Sequence, residues 1–391
     1  MRPKQPVWIL AALLLAGCTE RRETAAGGGR SGGTSGCPAG TVSRGAAPPA
    51  GREAWCERPG GTRHGPFRAW HGSGKLDQSG EYRDGKRHGP WTEWYESGKR
   101  RSVERYRAGS KQGLEEQWYE DGKIKARRRW KDGKLEGEER TWHARGSKRA
   151  EGRYQNGRRV GHWLEWHPGG TRKLDANYAD DGSAKKVEEW YENGKRKLVQ
   201  RREGGEDRLT EWYDSGSKRR EGALVDGRRE GLWTEWYDGG KLKSRGAYRA
   251  GVPDGHWIEW YDNGKKKKEL TYVNGRPDGA ARAWYDTGTD RALGTWKEGK
   301  LDGPSMEWWR NGKKRRQAIW RAGKLEGPAE ERHPNGKPKL RGTYKQGLKQ
   351  GTWTRWGHDG KKTVERWKDG VNLQTGKAQR PPPKTVGQSC K

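Results

Sequence analysis

The sequence predicts an all-β protein: an elongated, single-layer, twisted array of β-hairpin repeats. Three observations carry that prediction. A tryptophan recurs at intervals of 24 residues at Trp70, Trp94, Trp118, Trp142, Trp166 and Trp190, and after a two-residue deletion the series resumes at Trp212, Trp236, Trp260, Trp284 and Trp308. Arg332 takes the next place and Trp356 the last, and a glycine stands four residues after each of the thirteen positions. The apolar content is concentrated in rings spaced by turn formers, with 24 Trp, 14 Tyr and a single Phe against 62 Gly. A period of this length marks a repeat architecture, in which each unit needs only its neighbours for burial.

Bulk composition alone points elsewhere. With 28% apolar residues, 35% charged residues and a net charge of +32, the chain resembles a disordered polycation. The ordered spacing of the rings overrides that reading.

Residues 1–17 read as a lipoprotein signal peptide: Arg2 and Lys4 form a positive n-region, Val7 to Leu15 an apolar h-region, and Ala16 and Gly17 a small-residue cleavage site. The apolar run is too short to span a bilayer. Leu15-Ala16-Gly17-Cys18 resembles the lipobox of bacterial lipoproteins, which implies that Cys18 is the lipidated first residue of the mature chain. Residues 18–36, rich in Gly, Ser, Thr and Ala, read as a flexible tether. Residues 37–64 read as an N-terminal cap that covers the edge of the array, closed by a Cys37–Cys56 disulfide, since export permits disulfides and no Cys-x-x-Cys pair or clustered His suggests a metal. Cys390 lies in a Pro/Lys-rich tail, residues 372–391, and is free, paired between molecules, or of no consequence.

Residues 65–371 form the array of about thirteen units. In Gly89-Pro90-Trp91-Thr92-Glu93-Trp94-Tyr95-Glu96-Ser97-Gly98-Lys99 a strand rich in aromatics ends in a turn that needs positive φ. The turn glycines are Gly98, Gly122, Gly194, Gly240, Gly264 and Gly312. A second aromatic twelve residues after the first, as in Tyr82, Tyr106, Trp130, Tyr154 and Tyr178, is expected on the return strand, facing the first ring across the ladder. The predicted aromatic stack is therefore Trp94, Trp118, Trp166, Trp236, Trp260, Trp284 and Trp308. At about 4.8 Å per strand the ribbon extends on the order of 120 Å, with Lys and Arg stems shielding the rings. The unit at 190–212 lacks the second aromatic and is the expected bend or weak point.

Gly-x-Trp-x-Glu-Trp-Tyr-x-x-Gly-Lys recurs nearly intact at 231–241 and 255–265. From about Gly65 to Gly370 this pattern resembles the MORN-repeat family, in the bacterial variant found in YwqK-like antitoxin proteins. The resemblance implies hairpin arrays that mediate binding, some of them as antitoxins; the export signal of this chain departs from a cytoplasmic antitoxin.

Glutamate precedes the key position at Glu93, Glu165, Glu189, Glu211, Glu235, Glu259, Glu307 and Glu331. A catalytic pair is a singular site, so these repeated carboxylates read as cross-strand partners of Lys and Arg. His71, His143, His167 and His333 occupy a place where other units have Tyr and read as rings replacing rings. No catalytic residues, metal, cofactor or small-molecule substrate are predicted. Basic residues after each first turn, such as Lys99 to Arg101, Lys265 to Lys268 and Lys313 to Arg316, predict a positive stripe. The functional expectation is a lipid-anchored protein of the bacterial cell envelope, on the outer membrane or the periplasmic face of a membrane, acting as a non-enzymatic binding or scaffolding surface. Its expected partners are the membrane, through the lipid, and a protein or an anionic envelope component; export disfavours nucleic acid. The alternative is an antitoxin or immunity protein that neutralises a toxin by direct binding.

Overall fold

The computed structural model describes residues 36–379. The signal peptide, Cys18, nearly all of the tether, Cys390 and the proline run of the tail lie outside the described residues.

One open antiparallel sheet of 31 strands accounts for the fold, and the described residues contain no helix. Strands pair with their neighbours in sequence, the short Ser110–Lys111 and Arg276–Pro277 segments sharing a partner with the strand that follows each of them, so the chain is a continuous meander. In a representative unit, Lys86–Trp94 pairs with Arg100–Arg107, from Gly89 opposite Tyr106 to Trp94 opposite Arg100. The first turn is closed by Tyr95 N–H to Lys99 O at 2.8 Å and Gly98 N–H to Tyr95 O at 2.8 Å. The second is a two-residue turn in which Ala108 (φ 48°) and Gly109 (φ 86°) are both left-handed, as a type I′ turn demands. Because the preceding residue is also left-handed, its amide needs an acceptor. A carboxylate twenty residues upstream supplies one: Glu136 accepts from Asn156 N–H (2.7 Å), Glu230 from Ala250 N–H (2.8 Å) and Glu326 from Gln346 N–H (2.7 Å).

The core is a stripe on one face of the sheet, and its large rings are not the predicted ones. Trp91, Trp163, Trp233 and Trp353, three residues before the 24-residue series, are 1–2% exposed. Their partners are the second aromatics: Tyr82 and Tyr106 meet Trp91 edge-on at 5.2 and 6.3 Å, Tyr154 meets Trp163 at 5.1 Å and Tyr344 meets Trp353 at 4.8 Å. The expectation that Tyr106 faces Trp94 is thus corrected. Tyr106 lies opposite Gly89, and Trp94 lies opposite Arg100 near the other end of the hairpin. Strand alternation separates the two sets, since positions 91 and 94 differ by an odd number of residues and project to opposite faces.

The indoles of Trp91, Trp163, Trp233 and Trp353, and that of Trp257, lie flat on a glycine of the preceding return strand. A methyl group at Gly80, Gly152, Gly222, Gly246 or Gly342 would overlap the ring of Trp91, Trp163, Trp233, Trp257 or Trp353 respectively. Where the glycine is replaced, the tryptophan shrinks or becomes polar: Ala176 with Val187, Leu270 with Ala281, Ala318 with Ala329, Arg128 with Glu139, Glu104 with Glu115. Glu115 occupies its core position at 1% exposure because Trp130 Nε1 (2.7 Å), Lys111 Nζ (3.0 Å) and Gln117 Nε2 (2.9 Å) all donate to it. Burial raises its pKa, but the hydrogen bonds from Trp130 and Lys111 and the charges of Lys111 and Arg128 outweigh burial and hold the carboxyl below its ordinary range. Cations close the stripe from above, with Arg87, Arg159 and Arg229 at 4.0, 4.1 and 4.4 Å from the ring centroids of Trp91, Trp163 and Trp233.

The unit at 190–212 is continuous rather than a break. In regular units the strand after the type I′ turn carries two extra residues at a glycine bulge, so that Glu81 pairs with His88 but Ser79 with Thr92. Here six pairs run without a shift from Leu198 opposite Glu211 to Glu203 opposite Glu206. The two-residue deletion has removed the bulge and left the ladder intact. The place of the second aromatic is taken by Arg202, which grips Asp207 through two hydrogen bonds of 2.9 Å.

Both ends extend beyond their expected boundaries. Val42–Ala46 and Glu53–Glu57 are the first two strands of the same sheet, paired with each other and then with Arg63–Trp70, so the cap is part of the array. Residues 372–379 fold back over the last strand: Gln379 N–H donates to Gly370 O (2.7 Å), and its side chain donates to Gly347 O (2.8 Å) and accepts from Lys349 N–H (2.7 Å). They therefore belong to a C-terminal cap and not to the tail.

Two measurements test this account. Gly152→Ala should destabilise the hairpins around Trp163 by about 1–3 kcal/mol through overpacking, read as faster amide exchange over residues 148–166 with protection elsewhere unchanged. The guanidinium of Arg202 holds the Asp207 carboxyl below its usual range. A depressed native pKa contributes stability that is fully present above the unfolded value near pH 4 and is lost as pH falls through the native value. Asp207→Asn should therefore lower the stability of the 198–211 hairpin at neutral pH, and variant and parent should converge near pH 2.

Candidate interaction surface

The tryptophans of the 24-residue series, including Trp94, Trp118, Trp166, Trp236, Trp260, Trp284 and Trp308, form a half-buried row along the first-turn end of the opposite face. They do not stack on one another. Each is paired with a residue of the return strand that separates it from the next: Trp94 with Arg100, Trp142 with Lys148, Trp166 with Arg172, Trp190 with Arg196 and Trp212 with Lys218. Strands lie about 4.8 Å apart, so indole and cation alternate at that spacing and successive indoles lie about 10 Å apart. Between Trp142 and Trp236 the alternation is unbroken; elsewhere Leu76, Ile124, Leu242, Asp290 or Pro338 takes a cation's place. The cations lean onto the following ring, with Lys148 5.7 Å from the Trp166 centroid, Arg172 5.9 Å from Trp190 and Lys218 5.6 Å from Trp236. Three of them are steadied by a carboxylate three residues on: Lys148 by Glu151 (3.0 Å), Arg172 by Asp175 (2.9 Å) and Lys218 by Glu221 (2.8 Å). At Arg196 that position is Val199, and this exposed guanidinium has no ion-pair partner among the described residues.

Behind this row, the residue after each tryptophan ties one repeat to the next. Tyr95 donates its hydroxyl to Trp118 O at 2.8 Å, Tyr119 to Trp142 O at 2.7 Å, Tyr191 to Trp212 O at 2.8 Å, and Tyr213, Tyr237 and Tyr261 donate to Trp236 O, Trp260 O and Trp284 O at 2.9 Å. The four histidines at this position keep the same bond. His71, His143, His167 and His333 reach the carbonyls of Trp94, Trp166, Trp190 and Trp356 through Nε2 at 2.9, 3.0, 3.0 and 3.2 Å. A carbonyl only accepts, so Nε2 carries the proton. Trp309 does the same through Nε1 to Arg332 O at 3.0 Å. What these positions share is therefore a donor at fixed reach and not merely a ring, a refinement that the variety of Tyr, His and Trp at one position hints at. Burial raises the pKa of Tyr95 and Tyr237, which keeps these phenols protonated and donating.

The repeated glutamates are held in ion pairs: Glu93 by Arg101 (2.7 Å), Glu165 by Lys173 (3.1 Å), Glu189 by Lys197 (2.8 Å), Glu211 by Arg220 (2.6 Å), Glu235 by Arg229 (3.1 Å), Glu259 by Lys268 (2.9 Å), Glu307 by Arg315 (3.9 Å) and Glu331 by Lys339 (3.3 Å). Of the turn glycines, Gly98, Gly122, Gly194, Gly240, Gly264 and Gly312 have φ of 87°, 91°, 80°, 84°, 88° and 80°. Cys37 and Cys56 are joined in a disulfide with Cα atoms 5.6 Å apart, tying the N-terminal segment to the second strand. The structure does not reach Cys18.

Five segments, residues 87–108, 111–132, 229–250, 253–274 and 325–346, match the model of the MORN repeat variant. Each spans one hairpin and its first turn. No curated protein matches the chain. Among solved structures, the Tc holotoxin pore of Photorhabdus luminescens aligns at 12% identity and a TM-score of 0.16, over 82% of this chain and 17% of that one. The crystal structure of TcdB2-TccC3-TEV aligns at 9% identity and a TM-score of 0.13, over 86% of this chain and 22% of that one. The chain thus spans less than a quarter of the length of either.

Tyr237→Phe should cost about 0.5–1.5 kcal/mol by removing one inter-repeat hydrogen bond, read as a lower unfolding midpoint. Tyr237→His, which keeps a donor at that reach, should recover part of the loss.

Proposed function

We propose that this chain, which carries MORN-variant repeats in a single hairpin sheet, is a lipid-anchored cell-envelope protein whose sheet serves as a non-enzymatic binding or scaffolding surface. The observation that carries the reading is the unbroken Trp–cation row from Trp142 to Trp236. Its indoles and cations are presented in one line at strand spacing, outside the packed stripe that stabilises the fold. A row of this kind suits an extended partner that crosses several repeats, offering ring faces and positive charge in alternation. A protein or an anionic component of the envelope meets that description. The leader of residues 1–17, followed by Cys18, supports attachment of the array to a membrane, where an acylated terminus holds it stably.

Crosslinked envelopes should yield a partner when the full chain is recovered. The triple variant Arg172→Gln, Arg196→Gln, Lys218→Gln should recover at least about tenfold less of it, at about 1.4 kcal/mol per tenfold, while its unfolding midpoint stays close to the parent's. Equal recovery from parent and variant would remove the row from the function. Metabolic labelling with palmitate should mark the parent and not Cys18→Ser.

A further inference from the structure

We infer that the groove between Thr141 and Lys173 binds the acidic side chain of a protein partner, in a place where the scaffold itself normally puts a glutamate. The inference rests on the reading of the sheet as a binding surface and names one ligand chemistry for one place on it.

In eight units the residue before the 24-residue position is a glutamate; in seven a cation from the return strand, mostly the one displaced by the bulge, closes on it, and at Glu235 Arg229 of the same strand does so. Glu93 shows the arrangement: it pairs across the ladder with Ser102, receives the Ser102 hydroxyl at 3.2 Å and holds Arg101 at 2.7 Å. In the unit of Trp142 the cation is present and the carboxylate is not. Thr141 stands at the glutamate position, paired with Ala150, and Arg149 occupies the place of Arg101. The shorter Thr and Ala side chains open a groove of about 480 Å³, lined among others by Thr141, Arg149, Ala150, Arg159, His167 and Lys173. Exposed Arg149 has no hydrogen-bond or ion-pair partner among the described residues.

The charges facing the groove are four cations, Arg128, Arg149, Arg159 and Lys173, against two carboxylates, Glu139 and Glu165. Both carboxylates are engaged: Glu139 holds Arg128 at 2.6 Å, and Glu165 is shared by Arg159 and Lys173 at 3.1 Å each. Arg149 is the cation left over. Two other units also lack the glutamate but keep the cation. Gln117 turns its amide onto Glu115 at 2.9 Å with Lys125 over the Tyr119 ring at 5.6 Å, and beside Ala283 the Arg291 side chain is folded in with its Nε buried. At Thr141 the cation stays exposed and the space stays open. A glutamate or aspartate from an extended segment of another protein would enter beside Arg149 and rebuild the pair that the neighbouring units make internally.

Fluorescence anisotropy with the full chain and a labelled decaglutamate peptide tests this, alongside tetragalacturonate as a carboxylate of different origin. Thr141→Glu should fill the groove with an internal carboxylate, weaken peptide binding about tenfold, as expected for one charge-assisted hydrogen bond, and raise the unfolding midpoint. Arg149→Gln should weaken binding to a similar degree without that rise. The triple variant Arg321→Gln, Lys324→Gln, Lys345→Gln removes more positive charge from exposed residues far along the array, outside both the groove and the Trp–cation row, and should leave peptide affinity within about twofold of the parent, well inside one tenfold step. If the triple variant weakens binding more than Thr141→Glu does, the peptide is responding to net charge and the groove is not its site. Equal binding by parent and Thr141→Glu overturns the proposal, and so does Arg149-dependent binding of tetragalacturonate without binding of the peptide. None of these outcomes depends on the Trp–cation row, so failure here and failure of the broader binding reading are separable.

Discussion

The contact of a tryptophan ring with the bare backbone of a glycine on the adjacent strand sets the register of this sheet. Trp163 fits only because Gly152 has no side chain, and the same holds for Trp91 on Gly80, Trp233 on Gly222, Trp257 on Gly246 and Trp353 on Gly342. A slip of one residue would turn each of these rings to solvent and place a Cβ where the ring must lie. Close contact of an indole with backbone also lets a single side chain per hairpin exclude water, with an arginine over the exposed ring face completing the enclosure. This is how a chain with 28% apolar residues supports 31 strands: each unit spends its scarce apolar area at one point.

A single indole per hairpin leaves the hairpin ends uncovered, and polar ladders close them. At the first-turn end the donors of Tyr, His or Trp reach the carbonyl of the next repeat; at the second, a carboxylate reaches the left-handed amide of the next turn. Neither ladder needs residues distant in sequence, since each rung joins positions about 20 to 24 apart. The two-residue deletion before Trp212 is tolerated for the same reason. It removes a bulge between two neighbours and disturbs nothing beyond them.

The hairpin period, both turns and the pairing of the repeated glutamates were legible from the sequence, because glycine at positive φ and period-2 aromatics leave direct signals. The identity of the core ring was not. Trp94 recurs more regularly than Trp91, yet its regularity reflects its place in the outer row and not the core. Trp91 varies because its partner varies: Gly80 admits an indole and Arg128 does not admit one at position 139. That covariation, eleven residues apart, was available in the sequence as a paired pattern and is invisible when each position is read alone. The groove at Thr141 was legible only as a missing glutamate, and its openness depends on Ala150, which becomes its neighbour through strand pairing.

Charge follows the same logic as packing. A net charge of +32 suggests a surface that repels itself, yet glutamates and aspartates are distributed so that cation after cation is answered within its own hairpin. Exposed pairs of this kind add little stability singly. Their effect is to fix the glutamates and aspartates locally, while the excess of cations is left to face solvent. Arg196, where Val199 replaces an acid, and Arg149, where Thr141 does, are cations whose local partner is absent. An array of near-identical units has little chemical reason to prefer one position along its length. Under the proposed binding function, Arg149 and Arg196 would supply that preference, in the units around Trp142 to Trp212.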